Sequence, residues 1–221
     1  MLRADFDRSL SELLDNLMAL GKMVEGAIIK SMAALQARDL KASFEVIHED
    51  SQVNEKRFEL EEQCIDLIAT QQPLATDLRM LLAVLHIAVE LERMRDYAEG
   101  IGKIGLMVGD EPQPEPPAEL QEMADRGLDM LRRSLKALVQ RDMDAASQVW
   151  SDDDAVDVLY DEVVKKLLLG MTQTPSGIES GTHLLWVAHD LERIADRATN
   201  IAERVIFLVT GKQMPPHWYV G

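Results

Sequence analysis

Apolar residues recur three and four positions apart along almost the whole chain, with charged residues between them, the pattern of amphipathic helices rather than strands. Leu, Ala, Glu, Met and Gln, all good helix formers, fill these stretches, while proline and glycine are sparse and local. The pattern predicts six helices, over 6–37, 40–70, 75–108, 118–140, 143–171 and 179–210. The fold class is therefore all-α, and the helix lengths suit antiparallel bundles joined by tight turns.

The breaks between helices have physical causes. Arg38-Asp39 and Arg141-Asp142 fall where short connections are expected, with Asp39 and Asp142 placed to cap the helices that follow. Gln71-Gln72-Pro73 and Thr174-Pro175-Ser176-Gly177 end long helices, because proline denies the helical region to the residue before it. The segment from Gly109 to Pro117 is rich in proline and charge and reads as a stiff linker.

The stretches on either side of that linker repeat each other. Glu90-Leu91-Glu92-Arg93-Met94-Arg95-Asp96-Tyr97-Ala98 returns 100 positions later as Asp190-Leu191-Glu192-Arg193-Ile194-Ala195-Asp196-Arg197-Ala198. A fainter echo relates Asp50-Ser51-Gln52-Val53-Asn54 to Asp153-Asp154-Ala155-Val156-Asp157. An internal duplication giving two tandem three-helix bundles is the simplest account. The expected organisation is a first bundle over residues 1–109, a linker over 110–117, a second bundle over 118–211 and a tail over 212–221.

Composition narrows the function. An apolar fraction of 47% in 221 residues is ample for a packed core. Lys and Arg total 23 against 39 Asp and Glu, a net charge of -16, which argues against nucleic acid and against broad adhesion to an anionic membrane. Cys64 is the only cysteine, so an intramolecular disulfide and a thiolate zinc cage are excluded, and core packing is its expected role. The first ten residues carry Arg3, Asp5, Asp7 and Arg8 where a signal peptide needs an apolar run. The longest apolar candidate, 78–91, is interrupted by Arg79, His86 and Glu90 and is too short to span a bilayer. A cytoplasmic location is expected.

The repeat also places acids together. Residues four apart share a helix face, so Glu92 with Asp96, and Glu192 with Asp196, each set two carboxylates side by side, to one side of the apolar stripes of Leu91, Met94, Ala98 and of Leu191, Ile194, Ala198. On the preceding helices Asp50, Asn54, Arg57 and Glu61, and in the second half Asp153 and Asp157, fall inside or beside the apolar stripe, where polar groups need partners. Antiparallel packing of each pair of helices would bring two sets of oxygen ligands together, a candidate site for a divalent or ferric cation. The plainer reading is a solvated face with Arg93 and Arg193 as salt-bridge partners. Glu45-Val46-Ile47-His48 matches the Glu-x-x-His element of ferritin-like di-iron bundles, but that chemistry needs a second copy, which the sequence lacks. His86, His183 and His189, and methionines such as Met18, Met23, Met32, Met80 and Met94, read as packing. No Gly-rich phosphate loop, Gly-x-Ser-x-Gly or His-Glu-x-x-His occurs.

Several segments together resemble one family. Phe6-Asp7-Arg8, Gly21-Lys22-Met23-Val24-Glu25, Arg38-Asp39, the run Ala69-Thr70-Gln71-Gln72-Pro73-Leu74-Ala75-Thr76-Asp77-Leu78-Arg79, both Leu-Glu-Arg-x-x-Asp elements and the stretch from Asp196 to Val205 are similar to PhoU proteins. The similarity extends from about Phe6 to Gly211. It implies two three-helix bundles related by a pseudo-twofold, often as a homodimer. It further implies a non-enzymatic, negative regulator of phosphate uptake, working through the ATPase subunit of the phosphate ABC transporter and the sensor histidine kinase of the phosphate response. Some members hold multinuclear iron or zinc clusters on Glu/Asp-x-x-x-Asp motifs, which map onto Glu92, Asp96, Glu192 and Asp196, with Asp50, Asn54, Asp153 and Asp157 as partners. Two other outcomes are a carboxylate-bridged, ferritin-like redox or storage protein and a metal-free helical scaffold. Arg95 and Ala195 stand where the family pattern has glycine, and Gly100-Ile101-Gly102 replaces the Asn-Ile-Ala kept as Asn200-Ile201-Ala202.

Overall fold

The computed structural model describes residues 2–48, 50–109 and 116–212, without the side chains of Leu2, Arg3, Asp50, Ser51 and Pro175. The described residues form α1 (Leu2–Ala37), α2 (Leu40–His48), α3 (Asp50–Gln71), α4 (Thr76–Val108), α5 (Ala118–Gln140), α6 (Met143–Gln173), a short 3-10 turn (Pro175–Gly177) and α7 (Ile178–Thr210). Against the sequence reading, α1 starts about a turn earlier, and its first turns already send Phe6 and Leu10 into the core. Helices α2 and α3 together cover the predicted second helix, on either side of residue 49, which lies outside the described residues. Most of the expected linker, residues 110–115, and the tail from residue 213 also lie outside them.

Two turns show the duplication in backbone detail. Arg38 ends α1 in the left-handed region at φ 52°, and Arg141 ends α5 the same way at φ 53°. In each case the next amide reaches back to close the helix end: Asp39 N donates to Ala34 O at 2.9 Å, and Asp142 N donates to Ala137 O at 2.9 Å. Each Asp then caps the following helix, Asp39 Oδ1 accepting from Ala42 N and Asp142 Oδ1 from Ala145 N, both at 3.0 Å. Both sequence-predicted caps are thus formed.

In the first bundle, Leu13, Leu17 and Leu20 of α1 meet Leu60 and Cys64 of α3 and Leu81, Val84 and Leu91 of α4, all fully buried. Burial pushes the Cys64 thiol up to about 12, so it behaves as a small apolar side chain and not as a nucleophile. In the second bundle, Val149, Val156 and Val163 of α6 pack with Leu131 and Leu138 of α5 and with Leu191, Ile194 and Ile201 of α7. The two bundles share one continuous core, because α4 packs on α7 and α1 on α5. Glycine sets one close approach: a Cβ on Gly102 of α4 would lie 3.3 Å from the Ser43 carbonyl oxygen of α2.

Two consequences are measurable by chemical denaturation. Asp142→Ala removes a cap and costs about 1 kcal/mol. Arg141→Gly relieves a left-handed conformation that costs an L-residue about 1–2 kcal/mol, so it is neutral or stabilising despite glycine's low helix propensity.

Candidate functional site

The α4/α7 crossing is antiparallel, and polar groups flank its centre. Glu90 of α4 accepts from Arg197 Nη1 and Asn200 Nδ2 of α7, each at 3.2 Å. The reciprocal contact brings Asp190 of α7 against Gly100 of α4, where a Cβ would lie 2.6 Å from Asp190 Oδ2. Met94 and Ile194, both fully buried, lie between these contacts, where the pseudo-twofold crosses the helices. Duplicated positions have therefore diverged: Glu90 meets a cation and an amide, whereas Asp190 meets glycine. Burial raises the Asp190 carboxyl to about 7.

The two acidic faces lie on the other edges of α4 and α7, and they differ in kind. In the first bundle, Arg57 of α3 sits between acids. Its Nη1 donates to Glu61 Oε2 at 3.1 Å, and its Nε lies 3.2 Å from Glu92 Oε2 of α4, near enough for charge attraction though not aligned for a hydrogen bond. Asp96 is exposed one turn further along α4, and Asn54 is half-buried on α3. Asp50 belongs to α3, but its side chain lies outside the described residues.

In the second bundle the acids converge. Asp153 of α6 is 6% exposed, Asp157 is exposed one turn on, and Glu192 and Asp196 of α7 are half-buried. Burial first, and then the charge of Asp196, with smaller contributions from Asp157 and Asp153, raise the Glu192 carboxyl to about 7 against the opposing pull of Arg193. Arg193 spans the pair from outside, with Nη1 2.9 Å from Asp196 Oδ2 and Nε 3.4 Å from Glu192 Oε2. Arg197 adds a further contact to Asp196 at 3.7 Å. His189 approaches Glu192 at 3.8 Å.

A metal suits these faces unequally. An added cation on the first face would meet the Arg57 guanidinium already in place, so that face does not fit one. The second face offers hard oxygen donors with excess negative charge, the chemistry a hard cation prefers. Among the described residues, however, no three Asp, Glu, His or Cys side chains stand close enough together to hold an ion as placed.

Glu45 and His48 are exposed on α2, Glu45 facing Lys41 and His48 stacked on Phe44 with ring centroids 3.7 Å apart, so neither points into a bundle core as a di-iron ligand would. The sequence reading gave no role to Glu90, Asp190 or Arg197. Their signal was present: Glu90 and Tyr97 fall at the edge of the α4 apolar stripe opposite to Glu92, where a second helix could pack.

Comparison with known proteins gives a consistent result. The PhoU domain model matches the chain twice, at residues 17–105 and 120–205. A phosphate-specific transport system accessory protein PhoU homolog of Clostridium acetobutylicum is 36% identical over 215 residues, covering 97% of this chain and 98% of that protein. The protein of the same description from Caulobacter vibrioides is 34% identical over 210 residues, covering 95% of this chain and 91% of its own. Among solved structures, PhoU from Pseudomonas aeruginosa superposes with a TM-score of 0.89 at 30% identity, covering 94% of this chain and all of that one. The phosphate transport system regulatory protein PhoU from Streptococcus pneumoniae gives 0.88 at 30% identity, covering 95% and 99%.

The half-buried Asp190 predicts a pH signature. A carboxyl raised in the folded state from its ordinary value near 4 to about 7 binds more protons folded than unfolded over that interval. Its contribution to stability is full below pH ~4 and is lost as the pH rises through ~7. Asp190→Asn, which cannot ionise, should gain stability relative to the parent as the pH is raised over this interval, read from paired urea melts. A difference that stays constant with pH would show that Asp190 ionises as freely folded as unfolded.

Proposed function

The chain belongs to the PhoU domain family, and on that premise we propose that it is an accessory regulator of phosphate uptake acting through protein contacts rather than turnover. The observation that carries this reading is coverage. Both bundles are matched, and relatives described as accessory proteins of phosphate-specific transport align with almost the entire chain and with almost the entirety of themselves. Within that role the chain restrains the phosphate ABC transporter through its ATPase subunit and holds the sensor histidine kinase of the phosphate response in its silent state when phosphate is plentiful. It does so in the cytoplasm, as a homodimer. Among the described residues no helix is long and apolar enough to cross a membrane, which agrees with a partner that docks on membrane proteins from outside the bilayer. The net charge of -16 favours docking faces on the partners that are basic.

The convergence of acids on Glu192 supports a second element of the reading, an iron or zinc ion in the second bundle. Asp153, Asp157, Glu192 and Asp196 would hold it, after small side-chain movements that turn their oxygens inward. Such an ion would supply positive charge to a face that now relies on Arg193 at its rim. Its role would be structural or sensory.

Deleting the gene from its source organism should switch on a phosphate-responsive reporter in phosphate-replete medium, and the parent gene should silence it again. A reporter indifferent to the deletion would overturn the regulatory reading. For the metal, protein purified without an affinity tag should carry iron or zinc that is lost in Glu192→Ala/Asp196→Ala, by elemental analysis. Equal metal in parent and variant would place it elsewhere.

A further inference from the structure

The duplicated acidic faces differ at one position that decides their electrostatics. With the spacing that relates Asp50 to Asp153 and Asn54 to Asp157, Arg57 of the first half corresponds to Tyr160 of the second, and Glu61 to Val164. The first face thus has a cation of its own on α3, and α6 has none at the matching position. Arg57 is well placed for this. Its side chain is 16% exposed, it touches acids on both α3 and α4, and its Cζ lies over the Phe58 ring, 4.1 Å from the centroid. In the second bundle the nearby lysines of α6 face elsewhere, Lys165 to Asp161 and Lys166 to Glu119 of α5.

We propose that Arg57 is the resident cation of the first bundle: its guanidinium occupies the place between α3 and α4 that a divalent metal would otherwise take, so this half ties its helices together without metal. A guanidinium serves the purpose because it is always charged, weakly hydrated and planar, and so can meet two carboxylates at once from a partly buried position. Without it, Glu61 and Glu92 would face one another with no cation between helices, and a divalent ion would be the remaining means of neutralising them. The inference rests on the ion pairs of α3 and α4 and holds whether or not the second bundle takes a metal.

The test uses the full chain with the second face silenced by Glu192→Gln/Asp196→Asn, and Mn²⁺ as the probe. With Arg57 present, Mn²⁺ should leave the melting temperature unchanged and should not bind in equilibrium dialysis. Arg57→Gln should melt lower in chelator, bind about one Mn²⁺ per chain at least tenfold more tightly than its parent, and recover melting temperature as Mn²⁺ is added. Adding Glu92→Gln should abolish the gain, and Arg57→Lys, which keeps a positive charge, should stay insensitive to Mn²⁺. If Arg57→Gln does not fold, Arg57→Met keeps the packing of the stem and carries the same expectation. Mn²⁺ binding equally with and without Arg57 would overturn the proposal, as would a folded variant lacking Arg57 that gains none.

Discussion

Everything in this molecule hangs on the antiparallel crossing of α4 and α7. Each is the central helix of its own bundle, and each must also bury a second face against the other, so its apolar stripe is wider than one partner requires. Met94 and Ile194 sit at the crossing with no exposure, and Gly127 of α5 presses close behind, a Cβ there falling 3.3 Å from Ile194 Cγ2. The polar residues at the edges of these wide stripes are sorted by which neighbouring helix they meet. Glu90 and Asp190 go to the bundle interface, and Glu92 and Glu192 go to the faces shared with α3 and α6.

Duplication gave both halves the same positions, and the two copies have solved the resulting charge problem differently. Where Glu90 finds Arg197 and Asn200, its counterpart Asp190 finds Gly100 and is raised toward neutrality by burial. Where Glu92 finds Arg57, its counterpart Glu192 finds more acids and is raised as well. A carboxylate taken out of water must be paired, protonated or given a metal. The first half pairs Glu92 with an arginine of the neighbouring helix, whereas in the second Glu192 and Asp196 meet Arg193 and Arg197 of α7 itself.

Much of this was legible in the sequence, and the reason is locality. The helices, the Asp39 and Asp142 caps, the proline-bounded turns and the repeat all depend on residues within a few positions of one another, and the structure contains each of them. Glu92 and Glu192 lie on the edges of α4 and α7 that face α3 and α6, to the side of the apolar stripes where their spacing put them. What stayed hidden was which charge meets which. Arg57 was visible at the edge of its stripe, but its long side chain selects Glu92 only once α3 and α4 are packed. The departures at Gly100 and Gly102 were visible too, without a cause. The cause is contact from other helices, Asp190 of α7 pressing on one and the Ser43 carbonyl of α2 on the other.

Arg95 is the clearest case of a local anomaly with a distant explanation. An arginine in a stripe of Leu91, Met94 and Ala98 breaks the apolar pattern, yet it is 1% exposed and among the largest fully buried side chains. Its Nη2 donates to the carbonyl of Val46 on α2. The buried charge therefore ties α2 onto α4 in the first bundle, beside the glycine that lets the two helices approach. At the equivalent place the second bundle has Ala195, equally buried and with no charge to satisfy. The first bundle is thus held by two inward-facing arginines, Arg57 between α3 and α4 and Arg95 between α2 and α4, for which the second has Tyr160 and Ala195. A half built around fixed guanidinium contacts resists rearrangement, because moving either helix would leave a cation in a poorly solvated place.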